Sequence, residues 1–157
     1  MVEPMAASGR RSEEPVLLYD GVCSFCNRSV SFILRQDRVR PGVPLLRFAA
    51  LESALGAEII GRHPELAGVD SVVWVEPRSD GSELVLVRSD AALRVARYLG
   101  PPWSFAAVAR VIPRPVRDAL YDLFARWRYR IFGKLDACRL PPPEWRARFL
   151  DLDERVA

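Results

Sequence analysis

A chain of 157 residues, half of them hydrophobic and 27% charged, has the balance of one folded domain rather than of a disordered or fibrous polymer. No run approaches the roughly 20 apolar residues of a membrane span, and three cysteines are too few for a disulphide-built scaffold, so a disulphide here is expected to be catalytic. The net charge of +3 is modest and does not call for nucleic acid as a partner.

Residues 1–14 carry Arg10, Arg11, Glu13 and Glu14 but no apolar segment, so they read as a flexible leader and not as a secretory signal; a cytoplasmic setting is expected. Pro15 to Tyr19 is a short apolar run of strand formers, closed by the turn signal Asp20-Gly21. From Cys26 the apolar positions Val30, Ile33 and Leu34 follow at i+4, i+7 and i+8, which predicts a helix with Arg28, Arg35 and Asp37 outward and Cys23 at its N-terminus. After Pro41-Gly42, Pro44 to Phe48 reads as a second strand and Leu51 to about Gly61 as a second helix. Ser71 to Glu76 and Glu83 to Arg88 read as a hairpin. Ser89 is expected to cap a helix with Ala92, Val95, Ala96 and Leu99 inside, ended by Gly100-Pro101-Pro102. The order β-α-β-α-β-β-α predicts an α/β fold with a thioredoxin-like core over 15–100.

The remainder, 101–157, reads as a helical extension packed on the same domain. Trp103 to Ile112 is one helical segment and Pro115 to Phe132 a longer one, with Val116, Leu120, Leu123, Phe124, Trp127 and Ile131 expected on a buried face. Cys138, the prolines 141–143 and a short helix around Glu144 to Leu150 follow. Between Arg110 and Arg148 there are ten basic and four acidic side chains, a solvated face or, alternatively, a docking surface for an anionic partner. In that second reading Trp127, Tyr129 and Phe132 lie among arginines, and Tyr129 and Arg130 make the contacts.

Two cysteines separated by two residues can close a small disulphide ring. A helix N-terminus aims N–H groups and positive potential at the first sulphur, which favours its thiolate by about 2 kcal/mol in thioredoxin-type sites. Cys23 is thus the candidate nucleophile and Cys26, one turn along and less exposed, the candidate resolving thiol. Cys-x-x-Cys is also half of a zinc site, which His63 and Cys138 would have to complete, and two inert packed thiols are a third option. The strand-then-helix context favours redox chemistry, while His63 before Pro64 reads as a solvated loop residue. Asp20, three residues before Cys23, either accepts backbone N–H groups of the turn or moves protons for the resolving thiol. Gly21 reads as a backbone position.

The run Leu17-Leu18-Tyr19-Asp20-Gly21-Val22-Cys23-Ser24-Phe25-Cys26 resembles the signature of the DCC family, named for its aspartate and two cysteines. The resemblance continues through Ser89 to Leu93, Ile112-Pro113, Arg117-Asp118, Tyr121-Asp122 and Arg128 to Lys134, and ends at Cys138 to Pro141. It implies a thiol-disulphide oxidoreductase of protein-disulphide reductase type, with Asp20, Cys23 and Cys26 as site residues and no cofactor beyond the cysteine pair. Its expected partner is a disulphide-containing protein or a low-molecular-weight thiol. Unlike thioredoxins, the motif lacks a preceding tryptophan and an inner proline, and Val69-Asp70-Ser71 stands where thioredoxins carry a cis-proline. Cys138 reads as a buried structural thiol or as half of a second disulphide.

Overall fold

In a computed structural model that describes residues 14–136 and 140–153, four strands form one sheet in the order β2-β1-β3-β4. They are β1 (Val16–Tyr19), β2 (Arg47–Ala50), β3 (Val73–Pro77) and β4 (Glu83–Val87). β1 and β2 are parallel, with Val16 opposite Arg47 and Tyr19 opposite Ala50, whereas β3 runs antiparallel to both β1 and β4. The helices α1 (Ser24–Gln36), α2 (Ala54–Arg62) and α3 (Arg88–Leu99) complete a thioredoxin-like α/β fold. Outside it lie a 3-10 segment, Trp103–Val111, then helix α4 (Arg114–Phe132) and a second 3-10 segment, Pro143–Arg148.

Side chains alternate across a strand, and a strand covered on both faces reads as an unbroken apolar run. β1 is such a strand. Leu17 and Tyr19 join Val30 and Leu34 of α1, Phe48 and Trp74 on one face, while Leu18 meets Ile59, Leu66 and Val75 on the other. The inward stripe of α1 is Cys26, Val30, Ile33 and Leu34, as its periodicity predicts.

Several boundaries differ from expectation, each for a local reason. β2 starts three residues later than predicted, because Leu46 N–H is taken by the Tyr98 hydroxyl at 3.0 Å and pairing with β1 starts at Arg47. α2 starts at Ala54 because Ser53 is its cap, its hydroxyl accepting from Gly56 N–H at 3.0 Å. Ser89 does not cap α3; it is buried in the first turn and its hydroxyl donates to Asp118. The inner face of α3 is Ala91, Val95 and Tyr98 rather than Ala92 and Ala96. Tyr98 sets this rotation by packing on Trp74 and bonding Asp37 at 3.0 Å. The chain end follows the open side of β2: Leu150 N–H donates to Phe48 O at 2.9 Å and Asp151 accepts from Ala50 N–H at 2.8 Å. No described helix is long and apolar enough to cross a membrane.

The largest correction concerns α4. Its predicted core face is the solvent face: Val116, Leu120, Leu123, Trp127 and Ile131 are all roughly half or more exposed. The inward side is polar, with Arg128 as its fully buried residue. Truncating Leu18 on β1, which has no exposed surface, to alanine is expected to cost about 2–5 kcal/mol, against under about 0.5 kcal/mol for Leu120→Ala on α4. Urea unfolding of the two variants measures the contrast; equal losses would place Leu120 in the core.

Candidate active site

β1 delivers the chain into a tight turn that ends at Cys23. Asp20, 5% exposed, organises the turn: its Oδ1 accepts from Val22 N–H at 3.0 Å and Cys23 N–H at 3.2 Å. Asn27 closes it from the other side, donating to Gly21 O at 2.8 Å and to Cys23 O at 2.9 Å. Gly21 N–H donates to Glu52 at 3.3 Å. Glu52 is held above its ordinary range by partial burial, to which the Asp20 charge adds. Cys23 is the N-cap of α1, and its Sγ accepts the Cys26 N–H at 3.3 Å. A sulphur in the place usually taken by a serine or aspartate oxygen thus receives one of the free N–H groups at the helix start, where positive potential is greatest.

Both cysteines are thiols, and both are buried. The expected order of exposure is reversed: Cys23 is 0% and Cys26 5% exposed. The segment just after α4 pairs with the backbone that carries Cys23. Leu135 N–H donates to Val22 O at 2.6 Å, Ser24 N–H donates to Gly133 O at 3.4 Å, and Cys23 faces Lys134 across this antiparallel bridge. Burial raises the Cys26 thiol far above the ordinary thiol range, with the bond to Cys23 and its charge acting the same way and Arg128 opposing.

Beneath the cysteines lies a charged cluster that sequence reasoning missed. Arg128 of α4, 2% exposed, donates to Asp70 at 2.5 Å and to Asp20 Oδ2 at 3.3 Å. The Tyr129 hydroxyl also donates to Asp20 Oδ2. Burial opposes the charge on Arg128, but the fields of Cys26, Asp70, Cys23 and Asp20 outweigh it and hold the guanidinium protonated above its ordinary range. Its Nε has no hydrogen-bond partner among the described residues. Tyr121, one of the same inward face, accepts from Val72 N–H at 3.3 Å, and burial raises its hydroxyl. Val69-Asp70-Ser71 therefore contributes a carboxylate to this cluster; the cis peptide among the described residues is Pro101–Pro102, after α3.

Other sequence candidates fall elsewhere. His63 spends both ring nitrogens on carboxylates, Glu83 at 2.5 Å and Glu65 at 3.3 Å, and no group of three metal-ligating side chains occurs among the described residues. Cys138 lies outside the described residues. Tyr129 points inward to Asp20 instead of forming an outer contact. Phe25, between the two cysteines, packs on Phe124 and Phe132 with ring centroids 4.8 Å away in each case.

Among known proteins, the sequence model of the DCC1-like thiol-disulfide oxidoreductases matches residues 17–134, from β1 through the bridge over Cys23. The chain belongs to this DCC1-like family. It is 38% identical over 136 residues to the uncharacterized protein YuxK of Bacillus subtilis, covering 86% of this chain and 93% of that one. It is 36% identical over 132 residues to a DCC family protein of Arabidopsis thaliana whose name places it in the chloroplast, covering 82% of this chain and 70% of that one. No solved structure matches. The DCC1-like match spans Asp20, Cys23, Cys26, Asp70 and Arg128.

Removing one partner of a buried ion pair strands the other charge, so Arg128→Met is expected to cost about 3–5 kcal/mol, whereas Asp70→Asn, at a carboxylate 68% exposed, should cost under about 1 kcal/mol. Denaturant titration decides this, and a neutral Arg128→Met would remove the pair from its structural place. The raised Cys26 thiol has a pH consequence as well. The folded chain holds this proton more tightly than the unfolded one, so the contribution is complete below about pH 8.5 and is lost as pH rises beyond it, by up to ~1.4 kcal/mol per unit. Between pH 7.5 and 9.5 the reduced wild-type chain should therefore lose more stability than Cys26→Ala; parallel losses would show that this thiol does not contribute.

Proposed function

We propose that the chain is a thiol-disulphide oxidoreductase in which Cys23 attacks and Cys26 resolves, working on a disulphide-containing protein with a low-molecular-weight or protein thiol as electron donor. The observation that carries this reading is the capping bond from Cys26 N–H to Cys23 Sγ, which puts the first sulphur on the positive end of α1 and the second one turn inside the same helix. The Cys23 thiolate attacks one sulphur of the substrate disulphide, a mixed disulphide forms, and the other substrate sulphur leaves as a thiolate that takes up a proton. Cys26 then loses its proton and attacks Cys23 Sγ, releasing the second substrate thiol and leaving a Cys23–Cys26 disulphide. Two electrons and two protons have passed to the substrate, and a donor dithiol restores the starting state.

Asp20 enters as a positioning residue: it fixes the turn through two N–H bonds and holds Arg128 below the sulphurs. Arg128 supplies a positive field that opposes the burial holding the Cys26 thiol neutral, and so lowers the cost of removing that proton at the resolving step. On this reading 15–100 is the core that presents the cysteine pair, and 101–157 is an extension of the same domain that supplies Arg128, Tyr129 and the segment paired across Cys23. A reducing compartment such as the cytoplasm suits a pair that starts its cycle as two thiols.

Reduction of a model protein disulphide with a dithiol donor should fall to the uncatalysed rate in Cys23→Ser, while Cys26→Ser should accumulate mixed disulphide. Because Arg128 favours the reduced, thiolate-bearing form, Arg128→Met should move the midpoint of the Cys23–Cys26 couple to more negative potential, with 30 mV for each ~1.4 kcal/mol of lost stabilisation. Mass-tag trapping across glutathione ratios reads both. Unchanged turnover in Cys23→Ser would end the oxidoreductase reading.

A further inference from the structure

The bridge over Cys23 has a register that matters chemically. Its two hydrogen bonds run from Leu135 N–H to Val22 O and from Ser24 N–H to Gly133 O, so they flank the facing residues Cys23 and Lys134 without joining them. Directly opposed residues of this kind in an antiparallel pair have Cα atoms about 4.5 Å apart and side chains leaving on the same side. A disulphide requires a Cα separation of about 4.4–6.8 Å and Cβ atoms that approach each other. The backbone place held by Lys134 is therefore a place from which a half-cystine can become bonded to Cys23.

We propose that the backbone edge Val22–Ser24 is the docking site for an extended, cysteine-containing polypeptide strand, and that residues 133–135 occupy it as a stand-in until substrate displaces them. This rests on the oxidoreductase reading above and adds to it the substrate class, a peptide-borne disulphide in extended conformation, and the means of its recognition. Cys23 is wholly covered, so an attack by it needs part of its surroundings to move, and the segment paired across its backbone is held there by few bonds. Departure breaks two backbone hydrogen bonds, one of them long at 3.4 Å, and the contact of Lys134 with the Tyr129 ring; an incoming strand restores both hydrogen bonds. Gly133, at φ +80° directly after α4, is a backbone position from which the segment can swing while the helix stays in place. Beside the segment, Ser24, Asn27, Arg28, Leu135 and Trp145 line a cleft of about 460 Å³ that gives room to side chains flanking the substrate cysteine. In the docked state the Cys23 thiolate meets the half-cystine at the place of Lys134; the new sulphur–sulphur bond forms to Cys23, the substrate bond breaks, and the distal sulphur leaves as thiolate and is protonated from solvent.

The test uses the full chain carrying Cys26→Ser, with the pentapeptide Ala-Ala-Cys-Ala-Ala, activated at its cysteine as a pyridyl disulphide, trapped on Cys23. Amide hydrogen exchange is then read residue by residue by NMR in the free and the trapped protein. The Leu135 amide is expected to exchange at least tenfold faster once the peptide is bound, while the Ser24 amide keeps its protection because a peptide carbonyl has replaced that of Gly133. A trapped peptide with Leu135 still protected, or with Ser24 laid open, overturns the proposal and leaves the oxidoreductase reading intact. A Cys23 thiol that no activated peptide can modify overturns both.

Discussion

A guanidinium and a carboxylate, Arg128 and Asp20, meet in the interior at 3.3 Å and fasten helix α4 to the turn between β1 and α1. Taking two charges out of water is costly, and the arrangement holds because each is met by further groups: two backbone N–H donors and the Tyr129 hydroxyl on Asp20, Asp70 on Arg128. The turn therefore cannot be arranged independently of the helix. The pair fixes the rotation of α4, and through it the path of the chain across Cys23 and the charge that the sulphurs experience.

The thioredoxin-like core was legible because its signals are local and agree with one another. A two-sided apolar strand, a turn, and a helix whose stripe begins at Cys26 leave little freedom for 15–36, and the hairpin and its glycine and proline punctuation do the same for 71–102. Asp20, Cys23 and Cys26 come together for the same reason, being neighbours along one strand–turn–helix unit. Legibility ended at α4, where the helical pattern remained readable but its facing did not. Periodicity assigns the apolar side of a helix to the interior, and in α4 the interior was already polar, so Tyr121, Arg128 and Tyr129 turned inward and the aliphatic stripe turned out. Arg128 lies 108 residues from Asp20, and within a run rich in arginine nothing in composition distinguishes the one that is buried. The inward spacing of Tyr121 and Arg128, seven apart, was the trace available.

A second long-range contact accompanies the reversed exposure of the two thiols. Along the sequence, Cys23 follows a turn and Cys26 sits inside a helix, so the first is expected at the surface. Cys23 instead joins the core, and its backbone is paired with 133–135, more than a hundred residues away; backbone pairing of a strand-like segment has no residue-level signature of its own.

Because Arg128, Tyr129 and the segment paired across Cys23 belong to one helix and its immediate continuation, the path of the chain at Cys23 and the charge beneath it are not separable properties of this site. If α4 frays away as a unit, the segment paired across Cys23 and the positive charge beneath it depart together. What opens this part of the fold therefore decides whether the buried charge stays beside the cysteines, as it does when only 133–135 moves, or leaves with the helix.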